Sequence, residues 1–97
     1  MCDAPTSTSE EAAEEYSVIL LNDSFNMREY VARVLMMVAD VTGPQAEAIM
    51  MRANWEYSAP VGTWELPIAE HIHAGMLKAG LEVRLVAERH VEVVDVD

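Results

Sequence analysis

Asn22 and Asp23 stand where the apolar run YSVILL (16–21) gives way to NMREYVARVL (26–35), with only Ser24 and Phe25 between. A carboxylate beside a side-chain amide, next to apolar surface, suits the capture of a cation attached to an apolar group. Charge and hydrogen bonds take the cation, and the apolar surface takes what it carries. The same two residue types are ordinary turn formers, because their side chains bond their own backbone. What favours binding is the setting at a strand exit and a helix start, with Val31 and Met50 on faces that can flank one cleft. Methionine adapts its shape to varied apolar ligands, which makes Met50 the leading candidate for a cleft wall. Met36, Met37 and Met51 read as core or rim filler.

The other reactive residues form no constellation. His71 and His73 are two apart, which on a helix turns them to nearly opposite faces and rules out a shared metal ion. Cys2 is the only cysteine, so no internal disulfide can form. The four glycines are spread singly and make no phosphate-binding loop. No Ser or Cys nucleophile sits in a recognisable turn. The residues make no case for catalysis, a cofactor or a metal. Trp55, Tyr57 and Trp64 are candidates for an aromatic surface, although a small domain is expected to use its tryptophans in the core or over a sheet edge.

Holding Asn22 and Asp23 in place requires a strand before them and a helix after. The β-rich run 16–21 supplies the strand. Asn26 with Glu29 fits a capping box for a helix over 27–39, which carries Met27, Tyr30, Val31, Val34, Leu35 and Val38 on one stripe. Thr42, Pro44 and Gln45 start a second helix, which runs to about 53 and buries Ala46, Ile49, Met50 and Ala53. Over 54–63 the aromatic and β-branched residues favour extended chain, but Pro60 and Gly62 interrupt it, predicting a loop and then a short strand. Pro67 opens a third helix over 66–79, Gly80 ends it, and 81–89 alternates as a last strand. The order is β-α-α-β-α-β, a single α+β domain.

The chain has 97 residues and a formal charge of −11. Such a charge opposes nucleic acid and anionic membrane surfaces, and no apolar run approaches the roughly 20 residues of a membrane span. Residues 1–15 hold five carboxylates and no basic residue, and are expected to form a mobile tail. The core is expected over 16–89, with HVEVVDVD (90–97) a prolonged strand or a tail. The start lacks the apolar stretch of a signal peptide and the acid-poor character of a transit peptide, so in an organelle this would be a processed form. High like charge favours a monomer.

YSVILLNDSFNMREYVARVL, followed by QAEAIMMRAN and the closing LEVRLVAE, resembles the ClpS family over about 16–88, with a pattern nearest its plastid branch. These small adaptors present proteins with destabilising N-terminal residues to a Clp AAA+ protease. The resemblance implies a compact β-α-α-β-α-β domain, a three-stranded antiparallel sheet packed against three helices. It implies that Asn22 and Asp23 hold the α-ammonium group of the incoming peptide, and that Val31, Met50, Ala53 and Val83 line a pocket for its first side chain. Ser24 and Asn26 stand at positions that contact the peptide backbone. The acidic tail corresponds to the extension used in delivery, and the partner would be the N-domain of a Clp chaperone. The place of work would be the plastid stroma in an alga or plant, and otherwise the bacterial cytoplasm.

Three positions depart from the family pattern. Asn54 replaces a histidine that helps hold the amine, which keeps one acceptor and lowers the dependence on pH. Arg28 stands at the pocket rim where many bacterial members have a methionine. Glu65-Leu66-Pro67 does not reproduce the protease-docking pattern, and only Glu70 matches in place. An adaptor for free N-termini beginning with Phe, Leu, Tyr or Trp is therefore set against an interaction domain of the same fold with a lost or altered pocket. A third reading, an enzyme acting on N-termini, lacks a nucleophile and a metal site. As a turn carboxylate Asp23 is expected to add little stability. Removing residues 1–13 is expected to leave peptide affinity unchanged while abolishing delivery to the protease, measured by peptide binding and by degradation in parallel.

Overall fold

The computed structural model describes residues 15–88. Its elements are β1 (Glu15–Leu21), α1 (Arg28–Ala39), α2 (Gly43–Glu56), β2 (Ser58–Trp64), α3 (Leu66–Lys78) and β3 (Val83–Glu88). The strands form one antiparallel sheet in the order β2-β1-β3, so the first strand in sequence is the central one. The expected order and the three-stranded antiparallel sheet packed against three helices are both present.

Alternation along β1 sends Tyr16, Val18 and Leu20 to the helix-covered face, where Val18 and Leu20 are fully buried. On the other face Ser17 is buried as well, and its hydroxyl donates to Glu88 Oε2 at 2.9 Å and lies 3.2 Å from Thr63 Oγ1. Helix α1 buries Val31, Val34, Leu35 and Ala39, and α3 buries Ala69, Ile72 and Met76. Met27, expected on the α1 stripe, is outside the helix and exposed.

Helix α2 starts on the predicted capping box: Thr42 Oγ1 accepts from the Gln45 N–H, and Gln45 Oε1 accepts from the Thr42 N–H. It continues past 53 to Glu56, with Arg52 and Glu56 paired across its last turn at 3.1 Å. Tyr57 then takes a left-handed conformation (φ 72°), and β2 begins at once. The loop predicted after 53 is therefore absent. Pro60 and Gly62, read as strand breakers, both lie inside β2. The register steps from Val18↔Gly62 to Ile19↔Pro60, leaving Val61 as the extra residue of a bulge on an edge strand, which is where proline is tolerated. At Gly62 an added Cβ would fall 2.5 Å from the Trp64 ring, so the indole lies directly over that backbone. Trp55 and Tyr57, by contrast, are exposed rather than in the core or over an edge.

The end of α3 is a Schellman motif. The Gly80 N–H bonds Leu77 O at 2.9 Å, the Leu81 N–H bonds Met76 O at 3.0 Å, and Gly80 has φ +93°. Nothing lies within 4 Å of a Cβ built at Gly80, so only the backbone demands glycine there. Gly80→Ala is expected to destabilise the fold by about 1 kcal/mol through the left-handed conformation alone. Urea unfolding checks this: the midpoint should fall with an unchanged slope.

Candidate functional site

Two backbone hydrogen bonds fix the exit of β1. The Leu21 N–H bonds Glu82 O at 2.9 Å, and the Asn22 N–H bonds Tyr57 O at 2.8 Å. The first ties the loop after β1 to the α3–β3 turn, and the second ties it to the end of α2. Asn26 Nδ2 adds a bond to Gly80 O at 3.1 Å, and Tyr30 Oη donates to Ala79 O at 2.6 Å.

Within the loop the Asp23 carboxylate organises the chain. Oδ1 accepts from the Phe25 N–H at 2.8 Å and the Asn26 N–H at 2.9 Å, and Oδ2 accepts from Asn26 Nδ2 at 2.7 Å. Asn26 is therefore not the helix cap that the sequence predicted. Its amide is committed to Asp23 and Gly80, and Met27 caps α1 without a side-chain bond. Partial burial acts to raise the Asp23 pKa. The bonds from the Asn26 side chain, the Asn26 backbone and the Phe25 backbone outweigh it and hold the carboxyl below its ordinary value. A carboxylate oxygen accepts about two hydrogen bonds. Oδ1 is thus filled, and Oδ2 keeps one position for an outside donor.

A cavity of about 80 Å³ opens beside this loop. It is far smaller than the roughly 300–1,000 Å³ of a drug-sized pocket. β1 and its loop contribute Leu20, Leu21, Asn22, Asp23 and Asn26; α1 contributes Arg28 and Val31; and α2 contributes Met50, Met51, Ala53 and Asn54. Val31 and Ala53 are buried, while Asn22, Arg28 and Asn54 are exposed. Eight of the residues singled out from the sequence therefore meet at one cavity: Asn22, Asp23, Asn26, Arg28, Val31, Met50, Ala53 and Asn54.

The other three do not. Val83 pairs with Leu20 one strand further out and is buried, and it borders a separate shallow depression with Leu77 and Leu81. Leu20 and Leu21 line the cavity from the sheet instead. Ser24 is exposed in the loop without lining the cavity, and Glu70 is exposed on α3. Sequence reading missed Leu20, Leu21 and Met51. Available signals were the position of the two leucines directly before Asn22, and the spacing of Met51 three residues before Asn54, which places both on neighbouring helix surface.

No cluster of three metal-ligating side chains occurs among the described residues, and His73 Nε2 lies 3.3 Å from Val83 O. The arrangement is suited to binding: the Asp23 carboxylate and three side-chain amides (Asn22, Asn26 and Asn54) line the cavity together with apolar residues.

A family model described as ATP-dependent Clp protease adaptor protein ClpS matches residues 11–84. The ATP-dependent Clp protease adapter protein ClpS of a Synechococcus strain is 41% identical over 78 residues, which cover 79% of this chain and 86% of the relative. Its counterpart from Synechococcus elongatus is 44% identical over 66 residues, 67% of this chain and 70% of the relative. These cyanobacterial relatives fit the plastid-type pattern. The solved structure of Agrobacterium tumefaciens ClpS2 bound to L-phenylalaninamide superposes with a TM-score of 0.66 at 31% identity, covering 77% of this chain and 98% of that one.

Three hydrogen bonds tie the Asp23 carboxylate into the loop, so the expectation that it adds little to stability can be tested. Because its folded pKa lies below the ordinary 3.8, the stabilisation is fully present above 3.8 and is lost as pH falls through the folded value. The stability difference between the parent and Asp23→Asn should be constant near neutrality and shrink below pH 3.8. Asp23→Ala, which strands all three donors, should cost about 1 kcal/mol or more near neutral pH while the fold survives. Urea unfolding across the pH range measures both.

Proposed function

The chain belongs to the ClpS family of Clp protease adaptors, and we propose that it captures proteins by a free N-terminus bearing a bulky apolar residue. ClpS is an adaptor family rather than a catalytic one. The observation that carries the proposal is the convergence of Asn22, Asp23 and Asn54 at the mouth of a cavity walled by Val31, Met50 and Ala53.

In this reading the α-ammonium group donates to the open position on Asp23 Oδ2 and to the side-chain carbonyls of Asn22 and Asn54. Hydrogen bonds to a charged group contribute about 1.5–3 kcal/mol each. Burying a Phe or Leu side chain contributes a further 1.5–3 kcal/mol or so. Acetylation removes the charge and donors and leaves Asp23 facing an amide, so a free terminus is required without any chemical step. With asparagine at position 54 the mouth has no imidazole to titrate, so the pH dependence of affinity should follow the peptide's own α-amino group, falling as that group loses its proton above about pH 8.

Delivery to the N-domain of a Clp AAA+ chaperone is part of the proposal, with Glu70 on the exposed side of α3 as the docking residue. The protein would act as a monomer, in the plastid stroma of a plant or alga or in the cytoplasm of a bacterium. The second reading, an interaction domain with an altered pocket, draws on one observation: Arg28 lines the cavity.

Fluorescence anisotropy with peptides that differ only at the first residue separates the two. Micromolar or tighter binding is expected for Phe, Leu, Tyr and Trp, with Val and Ser weak and acetyl-Phe lost. Equal binding of free and acetylated peptides would overturn the proposal in favour of the second reading.

A further inference from the structure

We infer that Arg28 reads the second residue of the bound peptide and favours an acidic side chain there; this rests on the N-terminus reading above. Arg28 occupies the first position of α1, is exposed, and borders two concavities at once. One is the side-chain cavity. The other is an open depression of about 420 Å³ between α1 and α2, and the two share only Arg28 and Met50. A peptide whose first side chain fills the cavity and whose backbone runs on toward α1 and α2 must pass Arg28. The next Cα lies about 3.8 Å along the chain, so an Asp or Glu at the second position is within reach of a guanidinium.

Charge decides the sign. Among the described residues Arg28 takes part in no ion pair or side-chain hydrogen bond, whereas Arg52 is paired to Glu56. Among the described residues Asp23 is the only carboxylate lining the cavity, and the bound ammonium neutralises it. The uncompensated charge left at the mouth is then that of Arg28. Further out the depression carries one arginine, Arg33, against Glu29 and Glu47, a net negative lining that offers an acidic residue no advantage. The preference is therefore confined to the second position. It runs against the −11 charge of the chain, which as a whole attracts basic peptides.

The test uses the full chain and labelled peptides beginning Phe-Glu, Phe-Ala and Phe-Lys, otherwise identical, together with Phe-Ala-Glu. The ratio of Kd for Phe-Lys to Kd for Phe-Glu is expected to be roughly two to five and to shrink as salt screens the pair. Arg28→Gln should bring that ratio to one or below, and Arg28→Glu should invert it. Because each ratio compares two peptides on one protein, a general change in affinity cancels. Phe-Ala-Glu should bind no better than Phe-Ala. A parent ratio of one, or the same ratio in Arg28→Gln, overturns the inference while free-amine dependence leaves the N-terminus reading standing. Failure of every peptide to bind overturns both.

Discussion

The contact on which the rest of the structure depends is the hydrogen bond from the Asn22 N–H to the Tyr57 carbonyl, 2.8 Å long. It joins the residue that follows the sheet's central strand to the residue that reverses the chain between α2 and β2. Tyr57 adopts a left-handed backbone to make that reversal, so β2 starts without a connecting loop. The final turn of α2 is thereby laid beside the loop after β1. Met50, Ala53 and Asn54, at i, i+3 and i+4, turn one helix surface to the cavity from which Asn22 and Asp23 face them. A longer α2–β2 connection would leave the same residues in the sequence and take the cavity out of the fold.

Asp23 shows how a small domain holds a site still. Its carboxylate has two tasks: three hydrogen bonds shape the loop, and one acceptor position remains open. Those internal bonds hold its pKa below the ordinary value in spite of its partial burial, and they fix its direction before any ligand arrives. An acceptor already ordered loses little rotamer freedom on binding, so more of the contact energy appears as affinity. The same bonds make charge and loop geometry inseparable at this position.

Features signalled by local backbone chemistry were legible in the sequence. The Thr42–Gln45 capping box, the β-rich run of β1 and the terminating Gly80 depend on residues close to one another in sequence, and each lies where it was read. Features set by partners far along the chain were not legible. Asn26 has the right spacing for a helix cap, yet its amide is drawn away by Asp23 and by Gly80 from another element. Pro60 and Gly62 break strands on local rules, but an edge position, a bulge and the Trp64 ring accommodate both. The cavity followed the same division. Asn22, Asp23, Val31 and Met50 were named from residue type and setting and the other loop and helix residues from the family pattern, whereas the displacement of Val83 required the strand register.

The strand order also has a consequence for biosynthesis. β1 is made first, but it is the middle of the sheet, and its two neighbours are the last two strands of the described chain. The β1 pairings join residues far apart in sequence, from Leu21↔Ser58 to Glu15↔Glu88. An emerging chain thus carries its most apolar strand unpaired while both helices that follow are being made, and the sheet closes only after Glu88 has cleared the ribosome. Closing such distant pairs is entropically slow. The nascent protein therefore spends its longest unfolded interval with YSVILL uncovered, and it is the early amphipathic helices that must shield that strand until its partners arrive.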